Sequence, residues 1–124
     1  MIPIRVIQTA RKERLTRHVT YRDTTRNVVM TDPPLLVLAS LADGDKHGYA
    51  MMTDITSFAG VTLGPGTLYG AITRLEKRGF IRAVSSRDRR QPYRLTANGR
   101  RYLEERLTEM DAVLRAGQRR LREV

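Results

Sequence analysis

A helix with clear boundaries, inside the segment from residue 62 to residue 95, constrains the fold of this chain most strongly. Pro65 lies between two glycines, and proline suits the first turn of a helix, where its missing N–H is not needed. Gly79 follows two cationic residues, which is typical of a helix end with positive charge at the negative end of the dipole. The apolar residues between these signals fall at helical spacing and predict one buried face: Leu68, Ala71, Ile72 and Leu75.

The opposite face of this predicted helix consists of small residues, hydroxyls and cations. These residues are Thr67, Tyr69, Gly70, Thr73, Arg74 and Lys77. A helix can enter the major groove of DNA when its outward face is slim and donates hydrogen bonds to phosphates and base edges. A solvated face on an ordinary surface helix explains the same pattern equally well. The helix alone therefore leaves both interpretations open.

A strongly basic hairpin is predicted directly after this helix. Residues 80–85 and 92–95 have the composition of strands, and Pro92 suggests an edge or a strand start, while residues 86–91 are polar and turn-like. The hairpin contains these arginines, against Asp88 as its one acid: Arg82, Arg87, Arg89, Arg90 and Arg94. Arginines on a projecting ribbon suit contact with phosphates or insertion into a minor groove. A solvated charged hairpin is the alternative, and the excess of positive charge favours a nucleic-acid partner.

Several short strings at matching distances carry a resemblance to a known family. They are Gly66-Thr67-Leu68-Tyr69, Arg74-Leu75-Glu76 and Gly79-Phe80-Ile81, joined by Gly48-Tyr49, Tyr93-Arg94-Leu95-Thr96 and Gly99. Together they resemble the PadR family of bacterial transcriptional regulators over about residues 34–121. The chain differs from many relatives in having no Trp. It also carries Pro92 directly before Tyr93, where many relatives have a basic residue.

The resemblance implies a winged helix-turn-helix that binds double-stranded DNA as a homodimer, most often as a repressor. In such a fold Thr73 and Arg74 are best placed to reach base edges, since arginine pairs well with guanine. Thr67 and Tyr69 suit phosphate contacts, and Lys77 and the arginines of the hairpin would add sequence-independent affinity. Relatives often release DNA when a small hydrophobic molecule binds between subunits, and the lack of Trp argues against a stacked planar ligand here.

Composition limits the classes of function. The net charge of +10 over 124 residues indicates a polyanionic partner, with nucleic acid ahead of an acidic membrane. The absence of Cys excludes disulfides and cysteine-based metal sites. His18 and His47 have no second ligand at metal spacing, so we expect no metal or cofactor, and no paired catalytic groups indicate an enzyme. With no apolar run of membrane length and no secretory signal, a cytoplasmic location is expected.

Residues 1–31 are predicted to be a basic N-terminal arm or extension. The first 29 residues hold seven Lys and Arg against two acids. Three interpretations stay open: an arm that lies along DNA, an extra helix at the dimer interface, or a segment upstream of a true start at Met30.

Residues 32–96 contain the predicted winged helix-turn-helix DNA-binding domain. A helix after Asp32 is apolar on nearly all sides from Leu35 to Ala42, which predicts a buried position. A second helix, from about His47 to Ile55, corresponds to the element that supports the recognition helix.

Residues 97–124 are predicted to form a C-terminal dimerisation helix, capped by Thr96. Its apolar seam alternates steps of four and three: Leu103, Leu107, Met110, Leu114, Gly117 and Leu121. A 3.5-residue period favours a partner helix. Packing of the first part against the same chain is the alternative, and we expect both in part.

The sequence therefore predicts a mainly α fold with a small two-stranded β-wing, that is, a winged helix-turn-helix plus a C-terminal dimerisation helix. Its predicted function is a sequence-specific DNA-binding transcriptional regulator, a repressor acting as a homodimer on two half-sites. A non-specific basic architectural DNA-binding protein is the alternative, and a low ratio between cognate and random DNA affinity would favour it.

Overall fold

The computed structural model describes residues 32–123. In this range the chain forms four helices and three short strands: α1 (Pro33–Leu41), β1 (Lys46–His47), α2 (Gly48–Ala59), α3 (Pro65–Lys77), β2 (Ile81–Ala83), β3 (Pro92–Leu95) and α4 (Ala97–Glu123). This mostly helical architecture with a small antiparallel sheet confirms the predicted fold class. The predicted N-terminal arm, residues 1–31, lies outside the described residues.

Helix α1 lies at the centre of the hydrophobic core because it is apolar on nearly every side. Val37, Leu38 and Leu41 are buried, and α1 packs against α2, α3 and α4. Helix α3 buries the four residues predicted as its apolar face: Leu68, Ala71, Ile72 and Leu75. Each large aliphatic side chain that is fully buried stabilises the fold by about 1.5–3 kcal/mol. This burial fixes the rotation of α3 about its own axis, so its polar face must point outwards.

A polar network ties α1, β1 and α2 together beside this core. The Ser40 hydroxyl, which is almost fully buried, donates a hydrogen bond of 2.7 Å to the Asp54 carboxylate. The Lys46 ammonium donates to the Ser40 carbonyl and to Asp43, and lies 3.9 Å from the Asp54 carboxylate. The hydrogen bond from Lys46 lowers the pKa of Asp43. The network thereby holds β1 against the two helices.

The sheet has one strand more than the sequence predicts. Its order is β1-β3-β2, with both pairings antiparallel. The added strand, β1, pairs Lys46 with Tyr93 and His47 with Pro92. Two residues are too few to show an alternating pattern, so the strand has no sequence signal. Pro92 begins the central strand, where its carbonyl accepts the Val84 N–H at 3.0 Å and its missing N–H costs least.

Two glycines and a threonine cap fix where α3 ends and where α4 begins. Gly79 adopts φ 78°, a left-handed conformation that ends the turn after α3. Thr96 caps α4 as predicted, because its hydroxyl accepts the Gly99 N–H at 3.0 Å and donates to the Gly79 carbonyl at 2.6 Å. A Cβ at position 99 would lie 2.8 Å from the Phe80 carbonyl carbon, so this approach of α4 to the start of β2 requires glycine.

The first turns of α4 pack on its own chain. Leu103 is 4 % exposed and belongs to the core, as the same-chain alternative for this residue predicts. Tyr102 stacks on Phe80, with ring centroids 4.6 Å apart, and the Arg78 guanidinium lies over both rings at 4.7 and 5.1 Å. The start of α4 is thereby anchored to the end of the α3 segment.

The rest of α4 leaves the core and exposes its apolar seam. The exposed fractions are 46 % for Leu107, 51 % for Met110, 54 % for Leu114 and 70 % for Leu121, and Gly117 is exposed as well. These positions have the exposure that a dimerisation seam needs in the single chain, and their contact with a second copy stays a prediction.

Candidate nucleic-acid interface

The outward face of α3 carries all six residues predicted to contact DNA from this helix. Tyr69 is 48 % exposed, Gly70 is half-buried, and the remaining four are exposed: Thr67, Thr73, Arg74 and Lys77. The opposite side of the helix is held in the core, so these groups share one direction. The helix therefore offers hydroxyls and cations on a largely exposed surface.

Local contacts set the shape of this face. The Thr73 hydroxyl donates a 2.9 Å hydrogen bond to the Tyr69 carbonyl one turn earlier, which leaves its oxygen available as an acceptor. The Arg74 guanidinium lies back over Gly70, with Nη1 3.5 Å from the position that a Cβ there would take. Because Gly70 has no side chain, the helix surface stays low under this guanidinium.

The wing loop, residues 84–91, is shaped by hydrogen bonds between its own side chains and backbone. The Ser86 hydroxyl accepts the Asp88 N–H at 3.1 Å, and the Asp88 carboxylate accepts the Arg90 N–H at 2.9 Å. The Gln91 amide donates to the Val84 carbonyl at 2.9 Å and closes the loop. The loop arginines predicted to contact DNA are exposed: Arg87, Arg89 and Arg90.

A cleft joins the start of α2, the middle of α3 and the wing loop. We name it the His47–Arg90 cleft, and its lining includes His47, Gly48, Tyr49, Tyr69, Arg89 and Arg90. The Tyr69 ring lies over Gly48, since a Cβ at position 48 would come 2.7 Å from Tyr69 Cζ. Arg90 Nη1 lies 3.1 Å from His47 Nε2 and brings the wing loop to α2.

The sequence does not predict this cleft. The Gly48-Tyr49 string and the basic loop were both visible, but nothing in their spacing indicates that residues 48 and 90 meet. The sequence therefore identifies the Gly48-Tyr49 string only through the family resemblance.

Arg94 differs from the other arginines of the wing because a carboxylate already holds it. Its guanidinium donates to both oxygens of Asp45, at 3.0 Å from Nε and 2.7 Å from Nη2. Hydrogen bonding from Arg94 is the main cause that lowers the pKa of Asp45, and the positive charges of Arg94 and Arg82 act in the same direction. Arg82 lies directly opposite Arg94 in the β2–β3 pair. Contact between Arg94 and DNA, which stays a prediction, would compete with Asp45.

Residues 32–123 meet neither the requirements of a metal site nor those of a membrane-spanning helix. They contain no cluster of three or more histidine or acidic side chains able to hold a metal ion. None of their helices combines the length and the apolar character needed to cross a lipid bilayer.

Comparison with known proteins connects this geometry to one family. The family model described as "Transcriptional regulator PadR-like family" matches residues 37–105. The chain is 47 % identical over 73 residues to an uncharacterised 37.1 kDa protein in transposon TN4556 of Streptomyces fradiae, a match that covers 59 % of this chain and 21 % of that protein. The chain thus spans about a fifth of the length of that relative. It is 31 % identical over 80 residues to an uncharacterised protein X of Lysinibacillus sphaericus, covering 60 % of this chain and 73 % of that protein.

Solved structures show the same architecture. A transcriptional regulator from Clostridium thermocellum superposes with a TM-score of 0.64 at 27 % identity, over 75 % of this chain and 93 % of that one. A PadR family transcription regulator from Clostridium difficile gives a TM-score of 0.66 at 24 % identity, over 73 % and 99 % of the two chains. The second likeness bears on the fold alone, and it agrees with the winged helix described above.

The substitution Asp45→Asn tests whether the pair with Arg94 stabilises the wing. The pKa of Asp45 is lower in the folded than in the unfolded chain, so the pair stabilises the fold above the unfolded-state pKa and this stabilisation is lost as the pH falls through the folded-state pKa. We expect the variant to be less stable by about 0.2–1 kcal/mol near neutral pH, the range for exposed pairs. Urea unfolding at a series of pH values measures this difference.

The difference between Asp45→Asn and wild type should shrink as the pH falls through the folded-state pKa of Asp45, because the protonated carboxyl group is uncharged. In an Arg94→Gln background, the Asp45 substitution should lose most of its effect. A difference that persists undiminished at low pH would mean that the charge of the carboxylate is not what stabilises the wing.

Proposed function

Since this chain belongs to the PadR-like family of transcriptional regulators, we propose that it is a sequence-specific DNA-binding repressor that acts as a homodimer. One observation carries the proposal: the outward face of α3 and the arginines of the wing loop are exposed next to each other, and the His47–Arg90 cleft joins them. Donors in this arrangement suit a major groove and the phosphates beside it. By the same proposal the protein works in the cytoplasm.

Base reading is assigned to Thr73 and Arg74. Both are exposed, and Arg74 lies over the low surface at Gly70, so its guanidinium can extend without passing another side chain of α3. Arginine can donate two hydrogen bonds to guanine, and threonine can contact more than one base. Sequence preference should therefore depend mainly on this short part of the helix.

Phosphate contact is assigned to the flanks of α3 and to the wing. Thr67 and Tyr69 offer hydroxyls, and Lys77 adds a cation in the last turn of the helix. The arginines of the wing supply further positive charge: Arg87, Arg89, Arg90 and, in competition with Asp45, Arg94. Such contacts position the protein and give affinity that falls steeply with salt.

The homodimer is supported by the exposed seam of α4. Four apolar side chains of this seam are exposed in the single chain, and a second copy of the helix would bury them. A two-fold dimer presents two recognition helices to half-sites about 34 Å apart. The pairing would therefore double the number of DNA contacts.

A small hydrophobic effector that releases DNA is part of the proposal through the family. A groove beside Tyr102 runs along α4, lined also by Glu105, Arg106 and Glu109. The Tyr102 ring stacks on Phe80 and has the Arg106 guanidinium 6.0 Å from its centroid, so an effector would bind beside these contacts. The site would lie on the same helix as the dimer seam.

A non-specific architectural DNA-binding protein is the second candidate, favoured by the net charge of +10. Salt-dependent retention of genomic fragments, compared with random duplex of equal length, separates the two candidates. Selective retention supports a regulator, whereas equal retention with equal salt slopes supports an architectural protein.

Arg74→Ala should relax sequence preference. The loss of a bidentate contact with a base should cost about 1–3 kcal/mol on the retained fragment and much less on random duplex. Titration of both duplexes at fixed salt measures the two losses. Arg119→Ala, which removes an exposed arginine of α4, is the matched control and should change neither affinity. Equal losses on both duplexes would remove Arg74 from base reading.

The double substitution Arg89→Ala with Arg90→Ala should weaken binding to every duplex alike. Removing two phosphate contacts should lower the slope of log affinity against log salt by about 1.8. The pair Arg115→Ala with Arg119→Ala removes the same charge from α4 and should leave the slope unchanged. An unchanged slope in the wing variant would place its arginines outside the interface.

Leu114→Asp should separate the homodimer. The side chain is 54 % exposed in the single chain, so a carboxylate there should leave the monomer folded while breaking the apolar seam. Sedimentation velocity with circular dichroism measures assembly and folding. Ala112→Asp places the same charge on the opposite side of the helix and should remain dimeric. A dimeric Leu114→Asp protein would contradict the assignment of the seam.

A further inference from the structure

The His47–Arg90 cleft contains a hydrogen-bond arrangement that the described residues cannot satisfy. His47 Nδ1 lies 3.3 Å from the Ala50 nitrogen as an acceptor, and His47 Nε2 lies 3.1 Å from Arg90 Nη1. A neutral imidazole has one acceptor nitrogen, and a guanidinium has none. One of the two contacts therefore sets an N–H donor against another donor. With the His47 proton on Nε2, as the Ala50 contact requires, an acceptor with negative charge placed between His47 and Arg90 would take both hydrogens.

Two phenol groups face the same cleft, and neither has a hydrogen-bond partner in the part of the chain that the structure describes. Tyr49 is 69 % exposed and Tyr69 is 48 % exposed. Within residues 32–123, no hydrogen bond involves either phenol oxygen. A tyrosine as exposed as Tyr49 contributes little to the core of its own chain. Both hydroxyls are therefore available as donors.

The cleft is also positively charged. Arg89 and Arg90 form one wall, and no carboxylate is among its lining residues. The neighbouring Asp88 turns its carboxylate towards the loop backbone, where it accepts the Arg90 N–H at 2.9 Å. No side chain that lines the cleft is negatively charged, so its cations and donors favour the binding of an anion.

We propose that the His47–Arg90 cleft binds one backbone phosphate of duplex DNA, with Tyr49 as a further contact residue. This inference rests on the proposed DNA-binding function and extends it to α2, which supplies His47 and Tyr49. The phenols of Tyr49 and Tyr69 donate to the phosphate oxygens, and Arg90 pairs with the negative charge.

The location of the cleft gives this phosphate a positioning role. The cleft is bordered by α2, α3 and the wing loop, so one phosphate held there fixes all three elements to the same DNA strand. A contact of this kind sets the register of α3 without reading sequence.

Gly48 forms the floor of this site. A Cβ at position 48 would meet Tyr69 Cζ at 2.7 Å, and the exposed Tyr69 ring would have to swing aside. Gly48→Ala should therefore weaken DNA binding with little loss of folding stability, and it should have no further effect in a Tyr69→Ala background.

Tyr49→Phe is the first test because it removes one hydroxyl and no charge. We expect a loss of affinity of roughly tenfold on cognate and random duplex alike, the size of a hydrogen bond to a charged group. The salt slope should stay unchanged, since no cation is lost. Ser57→Ala deletes an exposed hydroxyl near the end of α2, outside the cleft, and is the matched control, with affinity as in wild type. A Tyr49→Phe protein that binds like wild type would overturn the inference.

A duplex retained by the wild-type protein, with its phosphates replaced one at a time by uncharged methylphosphonate, locates the contact. We expect one position at which the replacement weakens the wild type but has no added effect on Tyr49→Phe or Arg90→Ala. Full additivity at every position would overturn the inference while leaving DNA binding intact. A wild-type protein that retains no duplex would overturn the proposed function, and the cleft assignment with it.

Discussion

The burial of the apolar face of α3 against α1 is the interaction on which the rest of the structure depends. Leu68 and Leu75 lie on that face, and both are at most 1 % exposed. Rotation of α3 would bring polar groups into a dry core at a cost of about 1–3 kcal/mol for each unpaired group. The core therefore holds the outward face of α3 in one direction. Packing on the far side of the helix presents Thr73 and Arg74 outwards, and the hydrogen bond from the Thr73 hydroxyl to the Tyr69 carbonyl orients Thr73.

The position of the wing follows from that of α3 through a short series of close contacts. Gly79 turns the chain, Thr96 bonds to its carbonyl, and Gly99 lets α4 approach the backbone at Phe80. The sheet then takes in β1, which the network around Lys46 holds against α1 and α2. Each of these contacts restricts the positions that the wing loop can take. The arginines of the loop are therefore held beside α3.

The parts of this molecule that sequence predicts are those governed by local period and local turns. The buried face of α3, its end at Gly79 and the cap at Thr96 each depend on residues a few positions apart, and the structure confirms them. The contact of His47 with Arg90 spans 43 positions, and that of Arg94 with Asp45 spans 49. Neither leaves a periodic signal, since only the packed core brings these residues together. The cleft and the third strand were missed for the same reason.

Those long-range contacts also change what the arginines of the wing can contribute. A solvated guanidinium exchanges only water for a phosphate, whereas Arg94 must also give up its hydrogen bonds to Asp45. Arg90 differs, because with the His47 proton on Nε2 the contact sets donor against donor, and a bound anion would relieve it. Two arginines four positions apart on one hairpin therefore differ in the net affinity they offer. The number of arginines in the sequence therefore overstates the number of effective phosphate contacts. The contribution of each arginine to DNA affinity depends on the partner that it has in the free protein.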